Sequence, residues 1–337
     1  MPGDVSSPHS SMGYAAPRWL PGGNLQTIWA ALYARRFNGP APVYRRERWN
    51  TPDGDFIDVD FVDANVPGPR PLLVLFHGLE GSSRSHYAEA FATFAAERGM
   101  AFAVPHFRGC SGELNLAPRA YHSGDYEEID WILRRMRERQ ALHGGGPVLA
   151  AGVSLGGNAL LRWACEAGDT AHASVAAVAS VCAPLDLAAG GEAIGRGFNR
   201  LVYTRMFLAT MKPKALAKLA QFPGLFDRER LMAARDLYTF DDVFTAPLHG
   251  FRNTDDYWAR GSSKPHLSAI RVPALVVNAL NDPFIPAGSL PGPGEVGRHV
   301  TLWQPAHGGH VGFPLGAPPG HVRGMPESVG SWLGQFA

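Results

Sequence analysis

Cysteine is scarce in this sequence, with three residues in a chain of 337. The number is odd and no two cysteines have C-x-x-C spacing, which argues against a disulfide framework and against a structural zinc site. We therefore expect a protein of the reducing cytoplasm that holds no metal. The three positions are Cys110, Cys165 and Cys182.

Long apolar runs and an excess of charge are also missing. No stretch reaches the roughly eighteen consecutive apolar residues of a membrane-spanning helix. The 31 basic and 30 acidic residues leave a formal charge of +1, so no overall field gathers nucleic acid or holds the chain on an anionic membrane. Residues 1–14 are polar and lack the pattern of a secretory signal, and we expect them to form a disordered tail.

Hydrophobic residues make up 45% of the chain, which is sufficient for one large core. Residues 43–49 and 56–62 alternate apolar and polar positions around a Pro-Asp-Gly turn, and this predicts an antiparallel hairpin at a sheet edge. Continuous apolar runs at 72–76, 101–105, 147–153 and 175–181 then alternate with segments of helical periodicity. The alternation predicts an α/β fold with a mostly parallel central sheet flanked by helices.

The alternation stops between residues 185 and 265, where helix-compatible segments occur at 198–211, 213–220 and 228–237. Strand-like runs resume at 272–280 and 300–303. An insertion at this place would lie above the carboxyl ends of the strands, where α/β sheets bind ligands. We therefore predict a core of residues 15–184 and 266–337 with a helical cap at 185–265. Met206, Phe207 and Met211 are candidates for an acyl-binding wall, although most apolar residues of a cap only pack it.

The stretch Gly152-Val153-Ser154-Leu155-Gly156 joins a predicted strand to a predicted helix. A nucleophilic serine has to project from such a turn toward a base, which requires strained backbone angles and small neighbours. The G-x-S-x-G pattern alone often occurs by chance, but the flanking strand and helix strengthen the match. We predict that Ser154 is a catalytic nucleophile.

The candidate acid and base come later in the chain. Asp282 follows the strand-like run 272–280, where a carboxylate can accept the Nδ1–H of a histidine. His307 and His310 follow the last strand, and the order Ser, Asp, His fits a serine-hydrolase triad. We assign the base to His310, with His307 as the alternative. Zinc binding by the two histidines is a further alternative, but further ligands of suitable spacing are lacking.

Two backbone amides are candidates for an oxyanion hole. Leu155 lies at the N-terminus of the predicted helix, and Leu79 lies in the loop after the strand 72–76. His77 opens the same loop. Its side chain can shape the loop or face the ligand, and we retain it as a candidate substrate contact.

Eight short stretches carry a family resemblance, in this order: Leu25-Gln26-Thr27, 76–81 (FHGLEG), 106–113 (HFRGCSGE), 121–124 (YHSG), 154–158 (SLGGN), 240–242 (FDD), 282–284 (DPF) and 307–313 (HGGHVGF). The chain resembles the YheT-like branch of the α/β-hydrolase fold family, which is related to eukaryotic α/β-hydrolase-domain lipases and yeast medium-chain acyl-ethanol transferases. The resemblance spans nearly the whole chain after the tail. It implies ester hydrolysis by a triad of Ser154, Asp282 and His310 without a cofactor. Asn281 departs from the family, in which an acidic residue is frequent at that place.

The sequence therefore predicts a serine carboxylesterase or lipase-like hydrolase whose substrate is a small acyl ester. We expect short to medium acyl chains, because no exposed apolar lid is indicated. Acyl transfer to an alcohol is an alternative that the sequence does not separate from hydrolysis. A catalytically silent binding module is the second alternative, and an intact triad argues against it. Nothing in the sequence indicates an oligomeric state.

Overall fold

The structure, a computed structural model, describes residues 13–63, 68–142 and 144–337. Within these residues the strands are β1 Arg45–Asn50, β2 Phe56–Val62, β3 Leu72–Phe76, β4 Ala101–Pro105, β5 Val148–Val153, β6 Ala177–Val181, β7 Ala274–Val277 and β8 Val300–Trp303. The α-helices are α1 Gly23–Leu32, α2 His86–Glu97, α3 Tyr126–Leu142, α4 Leu155–Ala167, α5 Leu187–Ile194, α6 Gly197–Asn199, α7 Arg205–Gln221, α8 Arg228–Ala233, α9 Leu237–Phe240, α10 Ala246–Leu248, α11 Thr254–Gly261 and α12 Gly324–Leu333.

The strands form one sheet in the order β1-β2-β4-β3-β5-β6-β7-β8. β2 pairs antiparallel with β1 and with β4, and every other neighbouring pair is parallel. The predicted edge hairpin and the mostly parallel sheet are therefore confirmed. Because β3 and β5 to β8 run in one direction, the loops after them meet at a single edge of the sheet.

Helices cover both faces of this sheet. In β3, Leu72, Val74 and Phe76 belong to the apolar cluster that contains the buried side of α3 and α4. Leu73 and Leu75 belong to the cluster on the opposite face, with α2 and α12. A strand that is buried on both sides needs apolar residues at every position, which explains the continuous run that predicted β3.

The chain between β6 and β7 contains α5 to α11 and two π-helical turns, Arg200–Thr204 and Asp241–Thr245. The first π-helical turn keeps helical backbone angles at both ends, so a continuous helix runs over residues 197–221. The segments expected at 198–211 and 213–220 are therefore joined in one helix. The helix continues through Pro213 because Leu208 before it and Ala215 after it are buried in the same apolar cluster.

Tyr14 is part of the packed chain, although it lies in the segment expected to be a tail. Its hydroxyl donates to the carbonyl oxygen of Pro314 at 2.9 Å, and its ring makes an edge contact with Phe313 at 5.2 Å between centroids. Residues 1–12 of the expected tail lie outside the described residues.

Candidate active site

Ser154 occupies the sharp turn between β5 and α4. Its backbone angles, φ 53° and ψ −119°, are strained for a residue with a side chain. A Cβ on Gly152 would lie 2.4 Å from the carbonyl oxygen of Gly156. A Cβ on Gly156 would lie 2.5 Å from the carbonyl oxygens of Phe76 and His77. The predicted strand, turn and helix are present, and the turn depends on glycine where helix and strand approach each other.

Ser154, His310 and Asp282 form a hydrogen-bonded chain. His310 Nε2 lies 3.0 Å from Ser154 Oγ, and His310 Nδ1 lies 2.8 Å from Asp282 Oδ2. The Asp282 side chain is fully buried. Since a carboxylate only accepts, Nδ1 carries the proton and Nε2 is free to accept the serine proton. This is the geometry in which a serine is activated by a histidine base.

The loop around Asp282 also fixes the plane of the histidine ring. Phe284 stacks on His310 with 4.1 Å between ring centroids and 25° between planes. The amide of Phe284 donates to Asp282 Oδ1 at 2.8 Å, which leaves Oδ2 for the histidine. His307 lies outside this arrangement: its side chain is exposed, and its Nδ1 is 3.4 Å from the Asn281 side-chain amide.

The loop after β3 lies beside the serine. A Cβ on Gly78 would lie 3.3 Å from Ser154 Cβ. The amides on either side of Leu79 are engaged, because Gly78 N–H donates to the Tyr87 hydroxyl and Glu80 N–H donates to the Tyr121 hydroxyl, at 2.8 and 2.9 Å. These bonds hold the loop in place around the Leu79 amide.

Leu155 supplies the second predicted oxyanion amide. It is the first residue of α4, and the first amides of a helix have no partner within the helix. The positive end of the helix dipole also lies here. Leu155 and Leu79 both line the pocket that contains Ser154 and His310.

The pocket above Ser154 is mostly apolar. One wall comes from the loops at the carboxyl edge of the sheet, and the other comes from the helices between β6 and β7. Its larger apolar lining residues include Leu79, Leu114, Leu155, Leu187, Ile194, Phe207, Met211, Leu237, Phe240, Phe244, Trp258, Phe284 and Ile285. Phe207 and Met211, two of the predicted substrate contacts, are among these residues.

Met206 is not among the residues that line the pocket. Its side chain is 53% exposed, whereas Phe207 is partly buried and packs on Phe284. Consecutive residues of a helix point about 100° apart, so neighbours cannot both face the same wall. The assignment of Met206 to the substrate site is therefore corrected.

His77 is also absent from the pocket lining, and its side chain is fully buried. Its Nδ1–H donates to the Gly78 carbonyl at 2.8 Å, and its Nε2 accepts the amide of Phe107 at 3.0 Å. Burial lowers the pKa of His77 to about 3, which keeps the ring neutral for this pair of bonds. His77 ties the loop after β3 to the loop after β4, and its assignment as a substrate contact is corrected.

Glu80, Tyr121 and Lys214 form one of the polar groups in the pocket wall. Lys214 Nζ lies 2.9 Å from Glu80 Oε2, and the Tyr121 hydroxyl donates to Glu80 Oε1 at 2.8 Å. Burial raises the pKa of Tyr121 well above its usual value, which keeps the phenol protonated. This group was not predicted from the sequence, because its residues come from three separate parts of the chain and the pattern around Lys214 is typical of the solvated side of a helix.

Sequence analysis also missed the role of α1. The amide of Gly308 donates to Gln26 Oε1 at 2.9 Å, and the amide of His310 donates to Thr27 Oγ1 at 2.8 Å. Asn281 completes the contact, since its side-chain amide donates to Gln26 Oε1 and its oxygen accepts the Gly309 amide. The motif Leu25-Gln26-Thr27 was visible in the sequence, but its partner segment lies about 280 residues later.

Within the described residues, one group of metal-ligand types lies close together. Cys182, Asp282 and His310 offer donor atoms within 4.8 Å of one another. Asp282 and His310 already share a hydrogen bond, and burial raises the pKa of the Cys182 thiol well above its usual value. Because a metal would require the thiolate, the donors fit a hydrogen-bonded triad better than a metal centre.

Comparison with known proteins identifies the fold family of this chain. A family profile described as alpha/beta hydrolase fold matches residues 71–317. The chain belongs to the alpha/beta hydrolase fold family. YheT of Escherichia coli (strain K12), named for an expected esterase activity, is 36% identical over 334 residues, which cover 98% of this chain and 95% of that protein. The predicted family is thus confirmed.

Two further relatives carry more specific names. "Phospholipase ABHD3" of Mus musculus is 31% identical over 287 residues, which cover 83% of this chain and 69% of that protein. "Monoacylglycerol lipase" of Saccharomyces cerevisiae is 26% identical over 291 residues, which cover 82% and 60%. Among solved structures, the Pyrococcus furiosus esterase Pf2001 has a TM-score of 0.53 at 15% identity and covers 90% of this chain and 96% of its own. That likeness concerns the fold.

Proposed function

We propose that this protein is a serine hydrolase of carboxylic acyl esters. The observation that carries the proposal is the hydrogen-bonded chain from Asp282 through His310 to Ser154, at the floor of an apolar pocket. Relatives named phospholipase and monoacylglycerol lipase support an esterase- or lipase-like reaction.

In the first half of the proposed reaction, His310 Nε2 takes the proton from Ser154 Oγ as that oxygen attacks the ester carbonyl. The carbonyl oxygen becomes an oxyanion, which the amides of Leu79 and Leu155 stabilise. The protonated Nε2 then donates its proton to the leaving alkoxide. The products of this half are a free alcohol and an acyl-serine.

In the second half, water repeats the same steps. His310 takes a proton from water, the hydroxide attacks the acyl-serine, and Nε2 returns the proton to Ser154 Oγ. The acid is released and the enzyme is restored. Asp282 keeps the ring in the required tautomer and stabilises the imidazolium in both halves, while its own carboxylate stays ionised.

The pocket lining favours an apolar acyl group. Each buried methylene contributes about 0.8 kcal/mol until the pocket is full, so affinity for the transition state should rise and then fall with chain length. We place the optimum at short to medium acyl chains. A location in the cytoplasm is likewise proposed from cysteine usage: Cys110, Cys165 and Cys182 are all free and buried.

The test is turnover of p-nitrophenyl butyrate, followed by product analysis with ethanol present. Hydrolysis yields butyric acid, whereas acyl transfer yields ethyl butyrate at the expense of the acid. Ser154→Ala should abolish the activity, because alanine keeps the small side chain of the turn and removes the nucleophile.

Ser331→Ala is the matched control, since this serine is exposed on α12. It should retain the parent activity. Unchanged turnover by folded Ser154→Ala would end the serine-hydrolase proposal. Dominant ethyl butyrate formation would reassign the protein as an acyltransferase.

A further inference from the structure

One helix exposes an apolar face to solvent beside the pocket. In the continuous helix over residues 197–221, Phe198, Leu201, Val202 and Met206 are 51%, 66%, 36% and 53% exposed. We call these four residues the outer face. Residues three or four positions apart lie on one side of a helix, so these four residues form one contiguous patch. A contiguous apolar patch indicates an interaction site, whereas apolar residues that are exposed singly do not. The sequence analysis expected no such face.

The opposite side of the same helix is already packed. Tyr203, Thr204 and Leu208 are buried, and Phe207 and Met211 line the pocket. The helix is therefore packed against the protein interior by this side alone, and the outer face takes no part in that packing. Large apolar side chains that are not needed for packing point to an external apolar partner.

Arginines border the outer face. Arg196, Arg200 and Arg205 are exposed, and Arg196 pairs with Glu192. In the part of the chain that the structure describes, Arg200 and Arg205 form no ion pair. The three arginines and the one glutamate give this part of the surface a net positive charge. The formal charge of +1 for the whole chain does not indicate this local excess.

The outer face is connected to the catalytic centre by contacting rings. Phe198 meets Tyr203 at 6.1 Å, Tyr203 meets Phe284 at 4.5 Å, and Phe284 stacks on His310 at 4.1 Å between centroids. Asn199, between the exposed residues, also donates a side-chain hydrogen bond to the Pro283 carbonyl at 2.6 Å. The outer face thus adjoins the loop that carries Asp282, and Phe284 of that loop stacks on His310.

We propose that the outer face is an adsorption surface for anionic phospholipid bilayers. Phe198, Leu201, Val202 and Met206 enter the interface between headgroups and acyl chains, and the arginines contact lipid phosphates. Adsorption would place the pocket next to a lipid surface. Within the described residues no helix is both long and apolar enough to cross a bilayer.

The positive border favours an anionic surface over a second copy of the chain. Two copies joined through the outer face would bring their arginines together, and like charges across an interface are unfavourable. An anionic headgroup layer offers the opposite charge across the whole patch.

The test is sedimentation of the full chain with vesicles of phosphatidylcholine alone and of phosphatidylcholine with phosphatidylglycerol. The parent should bind the anionic vesicles, and added salt should weaken the binding. The double variant Phe198→Ser/Leu201→Ser and the double variant Arg200→Glu/Arg205→Glu should each lower the partition coefficient about ten-fold or more. Leu142→Ser is the control. Leu142 is also an exposed apolar residue, at 85%, but it lies at the end of α3 and is not part of the outer face.

The circular dichroism spectrum and the urea unfolding midpoint should be nearly the same for all these proteins, which shows that they are folded. Ser154→Ala should bind vesicles like the parent, so the adsorption proposal can hold or fail independently of the proposed reaction. Equal binding by the parent and both double variants, or no binding to either vesicle, overturns it. Concentration-dependent dimerisation that the outer-face variants abolish would show a second copy as the occupant and would also overturn it.

Discussion

The backbone amide of His310 donates a hydrogen bond to the Thr27 hydroxyl at 2.8 Å. The same hydroxyl donates to the Gly23 carbonyl at 2.7 Å, so the threonine is itself fixed in the first helix. The proposed catalytic base is therefore held by a residue 283 positions earlier in the chain. Space is tight here: a Cβ on Gly309 would lie 2.8 Å from Thr27 Oγ1. We infer that α1 positions the histidine loop.

Thr27→Val tests this positioning role. Valine has nearly the same shape but cannot accept the amide hydrogen bond, and the buried amide of His310 is left without a partner. We expect kcat to fall about ten-fold, equivalent to about 1.4 kcal/mol. Steady-state kinetics with soluble p-nitrophenyl esters measures the change.

Thr27→Ser is the matched control, because serine keeps the hydroxyl. It should recover most of the lost activity and the pH profile of the parent. If Thr27→Val lowers only the unfolding free energy while kcat and the pH profile stay unchanged, the contact is structural and the positioning role is wrong.

The two histidines of the last loop should differ sharply. His310→Ala removes the group that contacts Ser154 Oγ, and we expect kcat to fall by about 10³-fold or more. His307→Ala removes an exposed side chain and should leave kcat close to that of the parent. Steady-state kinetics of both variants, with circular dichroism to confirm folding, shows which histidine is the base. A larger loss for His307→Ala would reverse the assignment.

His77 should make stability depend on pH. Burial holds its folded-state pKa at about 3, whereas the unfolded chain binds a proton near the ordinary value. The neutral His77 ring contributes its full share to the free energy of unfolding above a pH of about 6.5. As the pH falls below that value, this contribution decreases by about 1.4 kcal/mol per pH unit. Urea unfolding of the parent between pH 7 and pH 5 should show the loss.

His77→Gln removes the titrating ring and leaves an acceptor for the Phe107 amide. The variant should be less stable at pH 7 but should lose less stability than the parent on the way to pH 5. The same loss with pH in both proteins would show that a protonated His77 is tolerated in the fold.

Phe207 should influence the choice of acyl chain. Across a series of p-nitrophenyl esters, each further methylene should raise kcat/KM about four-fold until the pocket is full, from about 0.8 kcal/mol per buried methylene. Phe207→Ala removes a ring from the pocket wall and enlarges the pocket, so the acyl chain length with the highest kcat/KM should become longer. Met206→Ala is the control on the outside of the same helix. An identical preference in both variants and the parent would remove Phe207 from the acyl site.

Much of the core could be predicted from the sequence, because its signals are local. A strand buried on both faces, such as β3, must be apolar throughout, and a strand, a glycine-flanked serine and a helix form the turn within a few residues. The predicted β3 and β4 have the bounds found in the structure. The strand expected at 175–181 begins at Ala177, because Val175 still belongs to the preceding turn.

The errors come from features that depend on packing between distant segments. Whether Met206 or Phe207 faces the pocket depends on a π-helical turn that shifts the helical phase, which periodicity does not reveal. Pro213 did not end its helix, because burial on both sides of it outweighed the lost hydrogen bond. The contact of Thr27 with His310 lies beyond any local pattern, and so does the contact of His77 with the Phe107 amide.

The most direct test of the proposed chemistry is labelling by a fluorophosphonate, which reacts with a serine that a histidine has activated. Intact-mass measurement of the parent should show one adduct, and peptide mapping should place it on Ser154. Ser154→Ala and His310→Ala should remain unlabelled, whereas Ser331→Ala should label like the parent. An unlabelled, folded parent, or an adduct on another serine, would contradict the account.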